Sequence, residues 1–422
     1  MADPLILVRG VHFAGTLLAS GTVAFTQVVA TEPAGTKVQA DQFRRQLRVL
    51  AWAGLGVAIL TGAAWLVLLA SDILGAPAVD VCLHGGVWPV LFDTRFGMVW
   101  CARLALALLL GLLLFRQALP PLQLFAAIAL AALLAFVGHA GASPGTAGDF
   151  HLVSDMVHLL AAAAWLGGLP AFALLLSHAR HLAEPLRYEF VIRATSRFSV
   201  VGILSVSGLL ASGFINSWYL LGGPRDLVAT DYGRLVAFKI GLFAAMIAIA
   251  SVNRFYLTPQ LTDPPKQRAL QRNSLAEVCL GLCVLLCVGI LGTLPPAAHN
   301  HAAPEGIPPD AAFVHIHGEE VMADVIIDPG RVGRVEALIR VLRDDFSEFP
   351  ASQVSLNLDA PTPALQPISR AAVHQSDGIW RVNGIDLPQA GNWTVRVIIG
   401  SSAGDKSIVL DAPIVIERGR GK

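Results

Sequence analysis

The sequence predicts an all-α polytopic bundle of about eight membrane-spanning helices, followed by a small all-β, sandwich-like domain. Three observations carry that prediction. Of 422 residues, 55% are hydrophobic and only 14% charged, and the mean hydropathy of +0.62 is far above that of a water-soluble chain of this length. Apolar runs close to the ~20 residues that cross a bilayer recur through residues 1–298. After Pro295-Pro296 the composition turns to charge, Gly, Pro and short alternating runs.

The apolar runs lie near 6–30, 48–71, 96–116, 121–139, 152–176, 198–221, 234–256 and 275–296. Lys and Arg set their orientation, because cytoplasmic loops hold the excess of positive charge. Lys37, Arg44, Arg45 and Arg48 fall between the first two runs, and Arg116 between the third and fourth. Arg180, Arg187, Arg193 and Arg197 precede the sixth run, and Arg254, Lys266, Arg268 and Arg272 precede the eighth. The loops at 72–95, 140–151 and 222–233 are poor in both, so both termini are expected outside the cytoplasm. The first run lacks a basic n-region and is too long for a cleaved signal peptide.

Residues 299–312 read as a linker and 313–422 as the β-domain. In NWTVRVIIG, Trp393, Val395, Val397 and Ile399 share one face of a strand while Thr394 and Arg396 take the other. Similar runs at 313–317, 321–327, 335–342, 353–358, 379–382 and 408–416 suggest a sandwich of about seven strands. Lys plus Arg equals Asp plus Glu at 30 each, and no basic stripe suggests nucleic acid.

The polar residues inside the apolar runs carry the functional signal. In HLVSDMVHLLAAAAWLGGL (151–169), His151, Asp155 and His158 fall at i, i+4 and i+7 and so form one stripe on a helix, which Trp165 continues. At ~1.5 Å per residue, His158 lies about 10 Å deeper than His151. His12, about two turns into the first run, and His139, closing the fourth, belong to the same outer leaflet, and His84 lies in an outer loop. Imidazole is a good ligand for Cu, Zn, Fe and Ni, and a carboxylate beside it is a fellow ligand or fixes its tautomer. Each histidine alone could be an interfacial residue making one hydrogen bond. Ionisable groups at membrane depth, however, are functional candidates by default.

Other groups leave two readings open. Cys279, Cys283 and Cys287 recur every fourth residue in the last run. They are a soft ladder suited to Cu(I) on the side of the bilayer away from the histidines, or simply small packing residues. Cys82 and Cys101 either form an outer disulfide or are buried thiols. Arg103 and Lys239 near outer span ends read as snorkelling residues, and Gly208, Ser212 and Gly213 as small residues for helix packing. His299 and His301 form an H-x-H in the linker. His315 and His317 form another, on the exposed face of a strand whose Val314 and Ile316 face the core. The second pair is a metal chelate or a coincidence of exposed residues. Met322 nearby is too common a residue type to count.

Together these motifs resemble the copper resistance protein D (CopD/PcoD) family. The resemblance rests on GHAG at 138–141, the H-x3-D-x2-H-L-x-A-A-A-x-W-x-G-G-L pattern at 151–169, YGRLVAFKIGLFAAMIAIASVNRF at 232–255 and RNSLAEVCLGL…LGTLPP at 272–296. It covers most of residues 1–298 and is loose in the second and third runs. It implies an eight-helix inner-membrane protein that handles a copper ion, with movement across the membrane as the usual assignment. Histidine-bearing positions carry over to His12, His139, His151 and His158, with Asp155 beside them. A periplasmic copper-binding protein is an implied partner, beside the lipid bilayer. The phrases at 378–382 and 391–397 resemble small periplasmic β-domains, though this one lacks the N-terminal histidine of a CopC-type module.

Three function classes follow. The first is a copper transporter, the second a haem- or quinone-linked electron-transfer protein, and the third a membrane anchor or sensor for the β-domain. Asp155 between the histidines favours a small ion over a tetrapyrrole, which needs facing histidines at matched depth. No catalytic triad, phosphate-binding Gly loop or H-E-x-x-H occurs, so an enzyme is not expected.

Overall fold

The structure is a computed structural model, and it describes residues 4–31, 36–138, 145–183, 186–221, 223–294, 307–308, 310–318, 321–343, 347–360, 365–401 and 407–418. The chain divides into two compact units, Met1–Ala298 and His299–Lys422. Each is taken by itself.

The first unit is helical. Its elements are α1 (Pro4–Val28), α2 (Lys37–Leu74), two short loop helices α3 (Ala78–Leu83) and α4 (Val87–Asp93), α5 (Arg95–Arg116) and α6 (Pro120–Ala132). They continue with α7 (Gly145–Trp165), α8 (Leu169–Ala179), α9 (Leu186–Leu220), the single turn α10 (Asp226–Ala229), α11 (Asp231–Val252) and α12 (Pro264–Leu291). Among the described residues, 8 helical stretches are long and apolar enough to cross a membrane, in agreement with the expected bundle.

Two helices start well before their apolar runs. Helix α2 begins at Lys37, where Thr36 and Gln39 form a reciprocal capping box. Its first three turns bury Ala40, Phe43 and Leu47 at helical spacing. Helix α9 likewise starts at Leu186 and buries Val191, Ala194 and Phe198. These stretches are amphipathic, so an average over hydropathy misses them.

The fifth run breaks into α7 and α8 at Leu166–Gly168. Pro170 sits in the first turn of α8, where its missing N–H costs nothing. Gly167 cannot carry a side chain: a Cβ there would lie 2.0 Å from the Leu17 carbonyl oxygen on α1. Gly21 on α1 is equally confined, since its Cβ would meet the Ala163 oxygen of α7 at 2.2 Å. The helices carrying His12 and the 151–158 stripe therefore cross backbone to backbone. Helix α11 ends in a π-helical turn, Asn253–Leu257.

The second unit is a two-sheet sandwich. Its strands are β1 (Ala312–His317), β2 (Val321–Asp328), β3 (Gly333–Arg343), β4 (Ala351–Asp359), β5 (Ile368–Ala371), β6 (Val373–His374), β7 (Trp380–Leu387), β8 (Gly391–Ser401) and β9 (Ser407–Ile416). One sheet runs β1-β2-β3-β7-β6 and the other β5-β4-β8-β9. The expected inward face of β8 is confirmed: Trp393, Val395, Val397 and Ile399 join one core with Val325, Ile339 and Trp380 of the facing sheet. Trp393 satisfies its indole N–H on the Gln389 carbonyl at 3.0 Å. The sequence reading missed β5 and β6, which are short and mostly exposed and so carry no alternation.

Candidate metal centre

The stripe on α7 meets a matching stripe on α9. His151, 2% exposed, stacks on Tyr219 with ring centroids 4.7 Å apart and planes 9° from parallel. One turn deeper, Asn216 Nδ2 donates to Asp155 Oδ1 at 3.0 Å, and Ser154 Oγ donates to Asn216 Oδ1 at 2.8 Å. At the third level His158 Nδ1 lies 3.0 Å from Ser212 Oγ. On α7 the residues step 151, 155, 158, and on α9 their partners step back 219, 216, 212. Both stripes follow 3.6-residue periodicity, so two antiparallel helices pair them level by level.

The serine decides the tautomer of His158. Ser212 Oγ has one hydrogen and gives it to the Gly208 carbonyl at 2.5 Å. Towards His158 it can therefore only accept, so Nδ1 carries the proton and Nε2 keeps its lone pair. A hydrogen bond at one ring nitrogen that leaves the other open is how proteins orient metal-binding imidazoles. Ser212, read from sequence as a packing residue only, is thus the orienting partner of His158. A serine or asparagine stripe at i, i+4, i+7 facing the histidines was the available signal.

Lys239 of α11 acts electrostatically on Asp155 and His158, and also on Cys287 of α12. The sequence reading gave it only a snorkelling role. In the structure it is half-buried and within electrostatic reach of the Asp155 carboxylate. Tyr232, buried on the same helix, shares the field of Asp155.

His12 lies in a different setting. Its Nδ1 is 3.0 Å from the Ala58 carbonyl of α2, and Nε2 is 2.8 Å from Arg103 Nη2 of α5. A guanidinium only donates, so Nε2 accepts and Nδ1–H donates, and both ring nitrogens are engaged. Trp65 and Trp100 enclose the ring at 5.6 and 5.5 Å. Arg103 does not snorkel, contrary to expectation: it is 2% exposed, with further hydrogen bonds to the Leu130 carbonyl at 2.7 Å and Thr16 Oγ1 at 3.3 Å. Its inward partners hold it more firmly than the interface would.

The remaining candidates are dispersed. His139 lies outside the described residues, as do His299, His301 and the side chain of His317. His84 is exposed, with Nδ1 on its own helix at the Asp80 carbonyl. His315 is not on an exposed face as expected. Its side chain is 3% exposed and bonds to the Asp324 carboxylate directly opposite on β2, which satisfies the imidazole where water cannot.

All five cysteines are free thiols, so Cys82 and Cys101 form no disulfide. Cys279 and Cys283 are exposed on α12 and only Cys287 is buried. Cys287, the last of the ladder, lies nearer the histidines than the expected place on the opposite side of the bilayer. Cys287 shares the field of Lys239, and nearby Leu285 and Gly289 meet Gly10 and Ile6 of α1, within two turns of His12. Among the described residues no three His, Cys, Asp or Glu side chains come together as a complete metal cage.

Comparison with known proteins bears on the helical unit. Residues 1–149 match the family model described as copper resistance protein D-like, N-terminal domain, and residues 192–291 match copper resistance protein D. The inner membrane protein YebZ of Escherichia coli K12 is 29% identical over 304 residues, covering 70% of this chain and 99% of that protein. The copper transport protein CutJ of Bacillus subtilis is 26% identical over 331 residues, covering 74% of this chain and 57% of that longer protein. Copper resistance protein D of Pseudomonas syringae pv. tomato is 29% identical over 275 residues, covering 60% and 84%. With matches to both halves of the family's membrane region and eight helices fit to span a bilayer, this chain belongs to the copper resistance protein D family.

Proposed function

We propose that the protein binds a copper ion at the α7–α9 face and carries it across the inner membrane, inward. The observation that supports this reading is the open Nε2 of His158 beside the Asp155 carboxylate, one helical turn below the stacked ring of His151. An imidazole and a carboxylate at that spacing offer a small cation two donors, and the family favours copper among the metals that imidazole suits. In the absence of cargo the Lys239 ammonium balances Asp155. An arriving cation takes over that charge and Lys239 yields, so loading and unloading avoid an unpaired carboxylate in the bundle.

His139 is proposed as a further donor. Gly138, the residue before it, lies so close to the site that a Cβ on it would sit 3.8 Å from Asp155 Oδ2. His12 stands outside the resting donor set, because Arg103 occupies its lone pair.

The test is copper analysis of the detergent-purified protein, wild type beside His151→Ala and His158→Ala. The expected result is bound copper in the wild type and its loss in His158→Ala. Equal copper in all three would sink the proposal.

The Lys/Arg distribution supports an outward-facing site and a C-terminal domain in the periplasm. Reporter fusions after Pro296 should be active only outside the cytoplasm. Activity only inside would reverse the orientation, and with it the proposed direction of movement.

A further inference from the structure

At the Lys/Arg-rich end of the bundle, a cavity of about 270 Å³ opens between α9, the turn after α11, and α12. Copper handling as proposed above makes no use of it. Its inner wall is aromatic, with Trp165, Phe172 and Phe198. Its outer lining includes Ile203 and Phe255, which are 45% and 74% exposed on helices that face lipid. Two charged residues of opposite sign line it, Glu277 and Arg254.

Glu277 is the anomaly. It is 2% exposed, yet among the described residues no basic side chain pairs with it. Asn253 Nδ2 donates to its Oε1 at 2.7 Å, and Asn273 Nδ2 holds Asn253 by its Oδ1 at 2.8 Å. Asn253 opens the π-helical turn, a local irregularity that commonly marks functional positions. Thr195 Oγ1, also lining the cavity and buried at 5% exposure, has no hydrogen-bond partner. A buried carboxylate is costly unless a cation or several donors meet it, and one amide donor falls short of that. Arg254 is exposed, and its guanidinium bonds to Ser199 at the cavity wall.

We propose that the cavity binds the headgroup of a phospholipid bearing a primary ammonium. The ammonium donates to Glu277 and Thr195, the phosphate lies at Arg254, and the acyl chains run outward past Ile203 and Phe255. Charge complementarity selects this occupant: a buried carboxyl that an arriving ammonium would hold as the anion, with an exposed cation at the mouth, matches a zwitterion whose ammonium leads. The volume is near the ~300 Å³ lower end of small-molecule pockets, which suits a headgroup rather than a whole lipid. An anionic glycerol headgroup would set like charge against Glu277. A quaternary choline has no N–H to give.

The experiment is native mass spectrometry of the purified full-length protein with one lipid added at a time. The series is phosphatidylethanolamine, its N-monomethyl and N,N-dimethyl derivatives, phosphatidylcholine and phosphatidylglycerol. Phosphatidylethanolamine should be retained one to one. Affinity should fall with each methyl group to about tenfold weaker for phosphatidylcholine, the cost of losing charged hydrogen bonds. Glu277→Gln should erase that discrimination, and Arg254→Gln should weaken all the phospholipids together. Equal retention of phosphatidylethanolamine and phosphatidylcholine by the wild type overturns the proposal, as does discrimination that survives Glu277→Gln. The methylation series uses only the wild type, so the test stands even if Glu277→Gln does not fold.

Discussion

His158 and His12 are both imidazoles inside one helix bundle, each fixed by a hydrogen bond at Nδ1, yet they differ at Nε2. His158 leans on Ser212, a neutral acceptor, which leaves the Nε2 lone pair unused by that bond, with Asp155 one turn away on the same helix and Lys239 acting on the ring electrostatically. His12 leans on the Ala58 carbonyl, and its Nε2 takes a hydrogen bond from Arg103. A guanidinium at that nitrogen both uses the lone pair and repels an approaching cation at a range where screening inside a protein is weak. The two rings share a residue type, and the more buried of the two, His12, is the one whose lone pair is taken, so neither property makes a ligand. The partner of the second nitrogen does.

The largest effect should therefore separate these two histidines. His158→Ala is expected to lower copper affinity by more than about a hundredfold, since it removes a donor where even a supporting residue is worth 10–100-fold. His12→Ala should keep copper within about twofold and instead lose about 1–3 kcal/mol of stability, because the buried Arg103 loses its 2.8 Å acceptor at Nη2 and keeps there only the longer bond to Thr16. Copper binding by isothermal titration and melting of the detergent-solubilised variants would read both. A copper loss in His12→Ala as large as in His158→Ala would erase the distinction drawn between the sites.

A smaller effect tests how the distinction is made. Ser212→Ala leaves every proposed copper donor in place but removes the acceptor of His158 Nδ1–H, so the ring loses its fixed tautomer and orientation. Copper affinity should drop about 10–100-fold, and Ser212→Thr, which restores a hydroxyl, should recover most of it. If Ser212→Ala binds as the wild type does, the hydroxyl is a packing group and the tautomer argument fails.

What the sequence shows of this site follows from what a single helix can show. The spacing of His151, Asp155 and His158 reveals a shared face, and the apolar runs reveal the bundle, because both are periodic within one segment. The same segment cannot say which helix lies opposite. Asn216 and Tyr219 carry no signal within their own helix, and Ser212 reads as a packing residue, although their spacing mirrors the histidine stripe. Arg103 looked like a snorkelling residue for the same reason: its partners His12, Thr16 and Leu130 come from helices far away in sequence. In the β-domain the period-two pattern placed Ile316 in the core correctly, but it could not foresee that Asp324 would meet His315 under cover.

The smallest effect concerns the thiols, where the same contrast between open and occupied positions recurs along one helix. Cys279 and Cys283 are exposed on α12, a helix long and apolar enough to cross a membrane. Cys287 is buried and lies in the field of Lys239, the residue proposed to release Asp155 to the cargo. If copper leaves the α7–α9 face as Cu(I), Cys287 is the buried soft donor in the field of Lys239, whereas Cys279 and Cys283 lie on the exposed side of α12. Cys279→Ser with Cys283→Ser should thus leave both bound copper and cytoplasmic accumulation within about twofold of wild type, as expected of packing residues. Cys287→Ser should leave binding at the face intact and lower accumulation by only about two- to threefold, since the loss of one soft ligand slows a transfer that oxygen and imidazole donors still permit. Accumulation measured at matched expression decides between them. A larger loss from the exposed pair than from Cys287 would move the route to the exposed side of α12, away from the interior that holds His158.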